Sequence, residues 1–417
     1  MTADKTLFLL TKTYPFGHGE QYITNELPYL SKVFGKIIIY PNDYYDKGTE
    51  HDKPLPSNVE ILNFNAMFLK FESKSKLSDY LFLIKTTINE VFETNDKKSF
   101  FGNFKWNLIN FWTQLKLANS FKIYLNKNKL NDSLFYTYWF HKSAILLAIL
   151  RSKNSIHGFD SRAHSVDLYH NAWGIINEAV KVPPYKMFKL KHVTTLYAVS
   201  QHGYKFLCDT FPRFRSNFNF SYLGVEEPIA VKKELNTQVL FHIVTCSGLD
   251  ASKRVHFLAQ AISQLKVPLR WTHFGDGMFR TEIEKLASRF PTGSVFELKG
   301  QQPNLEVRKF YASHKINLFV NLSKVEGLPV SIMEAMSYKI PILATAIYGT
   351  PEAVSINENG LLLDVNFTNE ELVQCLNYFI TQQNRMEAMK QHSYKMYMVK
   401  FNAEKNYTRF ANLLAHQ

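Results

Sequence analysis

Glu326 and Glu334 bracket the stretch Gly-Leu-Pro-Val-Ser-Ile-Met, two carboxylates eight positions apart with a chain breaker just after the first. An apolar-periodic run follows, Val330, Ile332, Met333, Ala335 and Met336. Pro329 suits the first turn of a helix, where its missing N–H costs nothing. The spacing predicts Glu326 in the loop ahead of that helix and Glu334 about two turns along it. The free amides of Gly327, Leu328 and Val330 would point out of the helix N-terminus, a ready site for a phosphate or another anion. One carboxylate beside an anion site and a second farther along suit a ligand with hydroxyls at both ends and phosphates between, such as a nucleotide-sugar. The same spacing also describes an ordinary amphipathic helix with one surface Glu and one Glu on its face, so context must decide.

The elements that would position these groups alternate along the chain. Strand-like apolar runs interleave with helical patterns in both halves, predicting an α/β protein with mainly parallel sheets. Strands are expected at 6–10, 36–40, 134–138 and 195–199, with a short one at 155–159, and then at 239–245, 269–274, 294–298, 316–320 and 341–344. Such sheets bind ligands beyond the carboxyl ends of their strands. That rule singles out Ser247 and Gly248 with Lys253 and Arg254 shortly after, the turn Gly275-Asp-Gly277, and Gly300 with Gln301. In the first half it singles out Gly17, His18 and Gly19, and His164 flanked by Arg162 and Asp167. Each has a bland alternative: a tight turn for the glycines, a solvated helix residue for Arg254, a satisfied core or surface histidine for His164.

Order and spacing of six segments supply the context. Val244-Thr-Cys-Ser-Gly-Leu-Asp-Ala-Ser-Lys253, His273-Phe-Gly-Asp-Gly277, Phe296-Glu-Leu-Lys-Gly300, the Glu326 to Glu334 run, Ile340-Pro-Ile-Leu-Ala-Thr345 and Gly349-Thr-Pro-Glu352 with Asn359-Gly360 together resemble the donor-binding half of glycosyltransferase family 4. These are retaining nucleotide-sugar enzymes of the GT-B fold. The first half is similar more loosely, through Tyr14-Pro-Phe-Gly-His-Gly-Glu20, Arg162-Ala-His164, Ala198-Val-Ser200 and Leu223-Gly-Val225, and not at all between about 60 and 130.

The resemblance implies two Rossmann-like domains facing an interdomain cleft, with a C-terminal helix crossing back to the first. The expected division is 1–228 for the acceptor-binding domain, with a basic aromatic insertion at about 64–130, then 229–393 for the nucleotide-sugar domain and 394–417 for the returning helix. The polar stretch 226–237 would be the linker. His164, Lys253, Arg254 and Glu326 are the implied catalytic set: Lys253 on the leaving diphosphate, Glu326 near the reacting face of the donor sugar, His164 facing that sugar. Most relatives carry Arg where this chain has Gly248, and Gly where it has Arg254, so Arg254 is expected to replace the missing Arg. Donor binding falls to Gly19, Ser247, Gly248, Gly275, Gly300, Gln301, Gly327, Leu328, Pro329, Val330 and Glu334, the last on the ribose hydroxyls. Acceptor binding falls to Gly17, His18, Arg162 and Asp167. With no Asp-x-Asp at a strand end and no metal-ligand spacing, no metal and no cofactor are expected.

Bulk properties agree. A chain of 417 residues exceeds one ordinary core, and 46% hydrophobic with 20% charged residues is a globular composition. The longest aliphatic run, 144–150, is far shorter than the ~18 residues of a membrane span, and the first residues lack signal-peptide features. Cys208, Cys246 and Cys375 form neither a disulfide framework nor a CxxC pair, which points to a reducing, cytoplasmic setting. The net charge of +13 calls for an anionic partner. Among anionic partners nucleic acid is the weakest fit and is not expected, since zinc spacing and RNA-binding aromatic signatures are lacking. Between Phe64 and Leu130, eleven lysines face five acidic residues among ten phenylalanines and two tryptophans. This composition suits amphipathic helices on an anionic inner-leaflet surface, or aromatics packed on the sheet with solvated lysines.

The expectation is therefore a hexosyltransferase taking a UDP- or GDP-linked sugar to a saccharide acceptor, lipid-linked, in polysaccharide or O-antigen assembly. A soluble glycan or protein acceptor, a GT-B epimerase, and an inactive membrane-bound scaffold are the alternatives.

Overall fold

The computed structural model describes residues 5–17, 20–43, 53–62, 76–94, 97–169, 185–231 and 240–416. His18, Gly19 and part of the expected linker lie outside them. The chain divides into two units, Met1–Ser221 with Tyr407–Gln417, and Tyr222–Asn406. The division thus falls slightly ahead of the boundary expected at 228.

In the first unit, β1 (Thr6–Thr11), β2 (Lys36–Pro41), β3 (Val59–Ile61), β4 (Leu134–Thr137), β5 (Asp160–Ala163), β6 (Thr195–Ala198) and β7 (Phe218–Phe220) form one parallel sheet. Its order is β3-β2-β1-β4-β5-β6-β7. Leu7, Phe8, Leu9 and Leu10 are all buried, as a strand covered on both faces requires. The helices are α1 (Gln21–Val33), α2 (Leu77–Glu93), α3 (Lys97–Gly102), α4 (Phe104–Asn128), α5 (Lys142–Ser152), α6 (Ser165–Leu168), α7 (Lys186–His192) and α8 (Gln201–Thr210). Helices α2 to α4 occupy the region of the expected insertion, and Phe100, Phe111 and Phe121 there are buried.

The strand expected at 155–159 lies instead at β5. Its four residues are polar or small, yet all are buried. Asp160 Oδ1 accepts from the Thr195 amide at 3.0 Å, and Ser161 Oγ accepts from Thr137 Oγ1 at 2.7 Å. Arg162 is paired with Glu26 at 2.9 Å. Partners distant in sequence here outweigh local strand preference.

In the second unit, β8 (Phe241–Cys246), β9 (Leu269–Phe274), β10 (Val295–Leu298), β11 (Leu318–Asn321), β12 (Ile342–Thr345) and β13 (Gly360–Leu363) form a parallel sheet of order β10-β9-β8-β11-β12-β13. Helices α9 (Val255–Ile262), α10 (Arg280–Ala287), α11 (Asn304–Ser313), α12 (Val330–Ser337), α13 (Asn369–Thr381) and α14 (Gln383–Met396) accompany it. Leu258, Trp271, Leu318 and Phe379 anchor its core. Helix α14 stays with this unit, Ser393 Oγ donating to Ile340 O at 2.9 Å. The return to the first unit comes later than the expected 394, within α15 (Ala403–Ala415). There Phe410 packs against Tyr136 and Tyr197, with ring centroids 5.4 and 5.1 Å apart.

Candidate active site

The strand order of the second sheet reverses between β8 and β11, the place where open parallel sheets bind ligands. A small recess there is lined by Thr245, Cys246, Ser247, Lys253, Asn321 and Ser323. Asp250 builds the loop after β8, its carboxylate accepting from the amides of Ser252 and Lys253 at 2.7 and 3.2 Å. The Lys324 amide then donates to Ser252 O at 2.7 Å, tying this loop to the one after β11. Lys253 and Glu326, 73 residues apart, meet as a result: Lys253 Nζ donates to Glu326 Oε1 at 2.5 Å. Both side chains are largely buried.

Gly275 and Gly277 let the β9 loop lie against the β8 loop. Their φ angles are +131° and +156°, and an added Cβ would stand 1.8 Å from Ser247 O and 2.5 Å from Leu249 O. Gly300 O accepts from the Gly275 amide at 2.9 Å, which aligns the next loop, with Gln301 exposed at its tip.

Helix α12 begins at Val330 with Pro329 as its N-cap, one position earlier than the first helical turn. Gly327, Leu328 and Val330 are buried, and their amides have no hydrogen-bond partner among the described residues. Free amides at the start of a helix favour an arriving anion. Farther along the helix, the Glu334 carboxylate accepts from Asn304 Nδ2 at 2.7 Å, and burial pushes it up to about 7. Asn304 was not anticipated, since nothing but a preceding proline marks it in the sequence.

Arg254 departs from its expected role. Its Nε donates to Leu322 O at 2.7 Å, one terminal nitrogen donates to Val365 O at 2.6 Å, and the guanidinium lies 4.8 Å from the Phe367 ring centre. Burial lowers its pKa to about 10. With its donors committed to backbone carbonyls, Arg254 braces the chain after β11, which differs from the expectation that it stands in for an Arg at position 248. Lys253, the neighbouring cation in this loop, reaches Glu326 instead.

In the first unit, His164 follows β5 and heads α6. Its Nε2 lies 3.1 Å from Tyr138 O, and a carbonyl only accepts, so the ring proton sits on Nε2 and Nδ1 keeps a lone pair. The Trp139 ring is 4.4 Å away, and burial with the nearby Arg162 charge holds the imidazole neutral, down at about 3. Arg162 and Asp167, both expected on the acceptor, are buried. Arg162 donates to Glu26 at 3.1 Å, to Tyr136 Oη at 3.0 Å and to Ser221 O at 2.9 Å, and lies 3.7 Å over the Phe410 ring. Asp167 accepts from the His164 amide at 2.9 Å, and its other oxygen is 3.6 Å from His141 Nε2. Burial raises the pKa of the Asp167 carboxyl and lowers that of the Lys189 ammonium.

His141 and Lys189 escaped the sequence reading because no spacing pattern marks them, and Glu20 entered it only as the end of the Tyr14 to Glu20 segment, with no role assigned. Glu20 organises the loop after β1, accepting from the amides of Lys12, Thr13 and Tyr14 at 2.9, 2.6 and 2.7 Å and from Trp139 Nε1 at 2.7 Å. Gly17, in that loop, has φ +67° and open space around an added Cβ. Among the described residues no three His, Cys, Asp or Glu side chains gather as a metal site, and no helix is long and apolar enough to cross a membrane.

Residues 231–396 match the family Glycosyl transferases group 1. Over 151 residues the chain is 32% identical to the O-antigen biosynthesis glycosyltransferase WbnH of Escherichia coli, a match covering 34% of this chain and 41% of that protein. Over 128 residues it is 30% identical to the UDP-N-acetylglucosamine–peptide N-acetylglucosaminyltransferase GtfA subunit of Streptococcus parasanguinis, covering 30% and 24%. The chain thus spans less than half the length of these curated relatives. Likeness over the whole chain is a likeness of fold. Sucrose-phosphate synthase from Thermosynechococcus elongatus superposes with a TM-score of 0.71 over 99% of this chain and 98% of that one, at 16% identity. Anabaena HepE in complex with UDP-glucose gives 0.65 over 99% and 100%, at 15% identity. The two Rossmann-like units are those of the GT-B fold.

Proposed function

We propose that the chain is a retaining, metal-independent glycosyltransferase. It takes a sugar from a nucleoside diphosphate, with uracil or guanine as base, to a saccharide carried on a lipid, in cell-surface polysaccharide or O-antigen assembly. The observation that carries this reading is the Lys253–Glu326 contact beside the unpartnered amides of Gly327, Leu328 and Val330, with Glu334 farther along the same helix.

In the free protein Glu326 neutralises Lys253. A diphosphate seated on the amides would draw Lys253 Nζ to itself and release the Glu326 carboxylate toward the donor sugar. As the bond from the anomeric carbon to the diphosphate oxygen breaks, negative charge grows on the leaving group. The lysine and the amides stabilise it there, at the point where such preorganised donors are most effective. The acceptor hydroxyl attacks from the same face and passes its proton to the departing diphosphate. Glu334 takes the ribose hydroxyls.

A panel of nucleotide-sugars tested by thermal unfolding checks the reading. A true donor at 100 times its dissociation constant adds about 2.7 kcal/mol, and Lys253→Ala should remove most of that gain. Retention follows if the product keeps the donor's anomeric configuration by NMR. If no nucleotide-sugar stabilises the folded protein, the reading fails.

A further inference from the structure

Helix α2 is built inside out. Its buried positions are polar, Asp79, Thr86, Thr87 and Glu90. Leu77, Tyr80, Leu81, Ile84, Ile88 and Phe92 are instead about half exposed or more, reaching 76% at Leu77 and 78% at Phe92. At 3.6 residues per turn these six share one face roughly 120° wide. A surface helix ordinarily has the reverse arrangement.

The orientation of α2 is held by the polar side. Asp79 Oδ1 accepts from Lys153 Nζ and from Asn119 Nδ2, both at 3.2 Å. Thr87 Oγ1 and Tyr185 Oη are hydrogen-bonded at 2.9 Å. The Glu90 carboxylate accepts from the Met187 and Phe188 amides at the start of α7, at 3.1 and 2.9 Å. Turning the helix to hide its apolar face would strip every one of these bonds and leave charges buried without partners. Phe101 and Phe104 on the following helices are exposed as well, their rings stacked 6.1 Å apart. Tyr80 rests on Trp112 at 4.7 Å. Lys76 just ahead of α2, Lys85 on it, Lys97 on α3 and Lys105 on α4 are exposed.

We propose that this face of α2 docks in the headgroup layer of an anionic lipid bilayer. The apolar ridge would enter the acyl boundary while the lysines meet lipid phosphates. Charge decides between a bilayer and a second copy of the chain. Pairing two such faces would press lysine rims of like sign together, whereas an anionic surface neutralises them. The inference extends the reading of a lipid-carried acceptor, but it stands on α2 alone.

Sedimentation of the full chain with vesicles, with no sugar donor present, tests it. Vesicles containing phosphatidylglycerol should bind the protein at low salt and release it at high salt, and pure phosphatidylcholine should bind it far less. Leu81→Asp with Ile84→Asp should abolish binding, with folding checked by circular dichroism. Lys85→Glu or Lys97→Glu should each weaken binding about fivefold or more. As a second readout, an environment-sensitive probe on Ile88→Cys should shift toward apolar emission when vesicles are added.

Three results would overturn the proposal: wild-type protein that ignores anionic vesicles, a double variant that binds as wild type does, or a wild-type dimer that the double variant turns into a monomer. The last would mark the face as a self-interface. Vesicle binding by a chain that no nucleotide-sugar stabilises would remove the transferase reading and leave the docking face standing.

Discussion

At the carboxyl ends of their strands the two units use charged side chains in opposite ways. In the second unit, Lys253 and Glu326 stand in loops beyond β8 and β11, in contact with each other beside unpartnered amides. In the first unit, Arg162 lies within β5 and Asp167 and Lys189 pack beneath the surface. The strand order reverses in the same way in both sheets, so topology alone does not say which charges bind a ligand. Position relative to the strand end says more. A charge inside a strand must be paired in the core, because burying it alone is prohibitive. A charge in the following loop can change partners. Arg254 limits this rule, since it is a loop residue held by carbonyls. The surface field is also divided: the first unit carries eleven of the thirteen net positive charges.

The largest expected effect tests the structural side of this contrast. Arg162→Ala should cost about 3–5 kcal/mol in denaturant unfolding, because it leaves Glu26 buried without its partner. A loss of under about 1 kcal/mol would mean the pair is not sealed from water. On the chemical side, Lys253→Ala and Glu326→Gln should each lower turnover by roughly 10²-fold in protein that remains folded. Near-normal transfer by folded Lys253→Ala would break the contrast at its other end. Arg254→Ala sharpens it further. Stability should fall by about 1–3 kcal/mol as its carbonyl partners lose their donor, while nucleotide affinity of the folded fraction stays close to wild type. A strong loss of affinity without a loss of stability would return Arg254 to the binding site.

Smaller effects separate the carboxylates. Burial places Glu334 at about 7 against an ordinary value near 4.5. Between those values the folded protein holds a proton that the unfolded chain has released. Stability supplied by the protonated form is therefore lost as pH rises from about 4.5 to 7. Glu334→Gln should flatten that part of the stability profile, measured by unfolding at pH steps across the window. Glu90, also near 7, keeps its own share. The smallest effect is the one expected of chelators: EDTA should leave transfer essentially unchanged, and complete loss with recovery on adding a divalent ion would overturn metal independence.

Much of the second unit was legible in advance. β9 lies where its apolar run placed it. A breaker and helix periodicity drew attention to Glu326 and Glu334, whereas Lys253 was singled out by its place after a strand and by the resemblance of the surrounding segments. Less of the first unit was legible. β5 carries Asp, Ser and Arg, no strand pattern at all, and the amphipathic pattern of α2 left open whether its apolar side faces the sheet or an outside surface.

The sequence by itself determined the alternation of strands and helices, the breaker before α12 and the order of the loop motifs, because each depends on residues within a turn or two of one another. Only the tertiary structure decided that Arg162 belongs to the core, that Arg254 is a brace and that α2 turns its apolar face outward. Each of those outcomes rests on a partner far away in the chain, Glu26 for Arg162 across 136 residues and Lys153 for Asp79 across 74. A buried charge takes its role from the group that neutralises it, and no local pattern names that group.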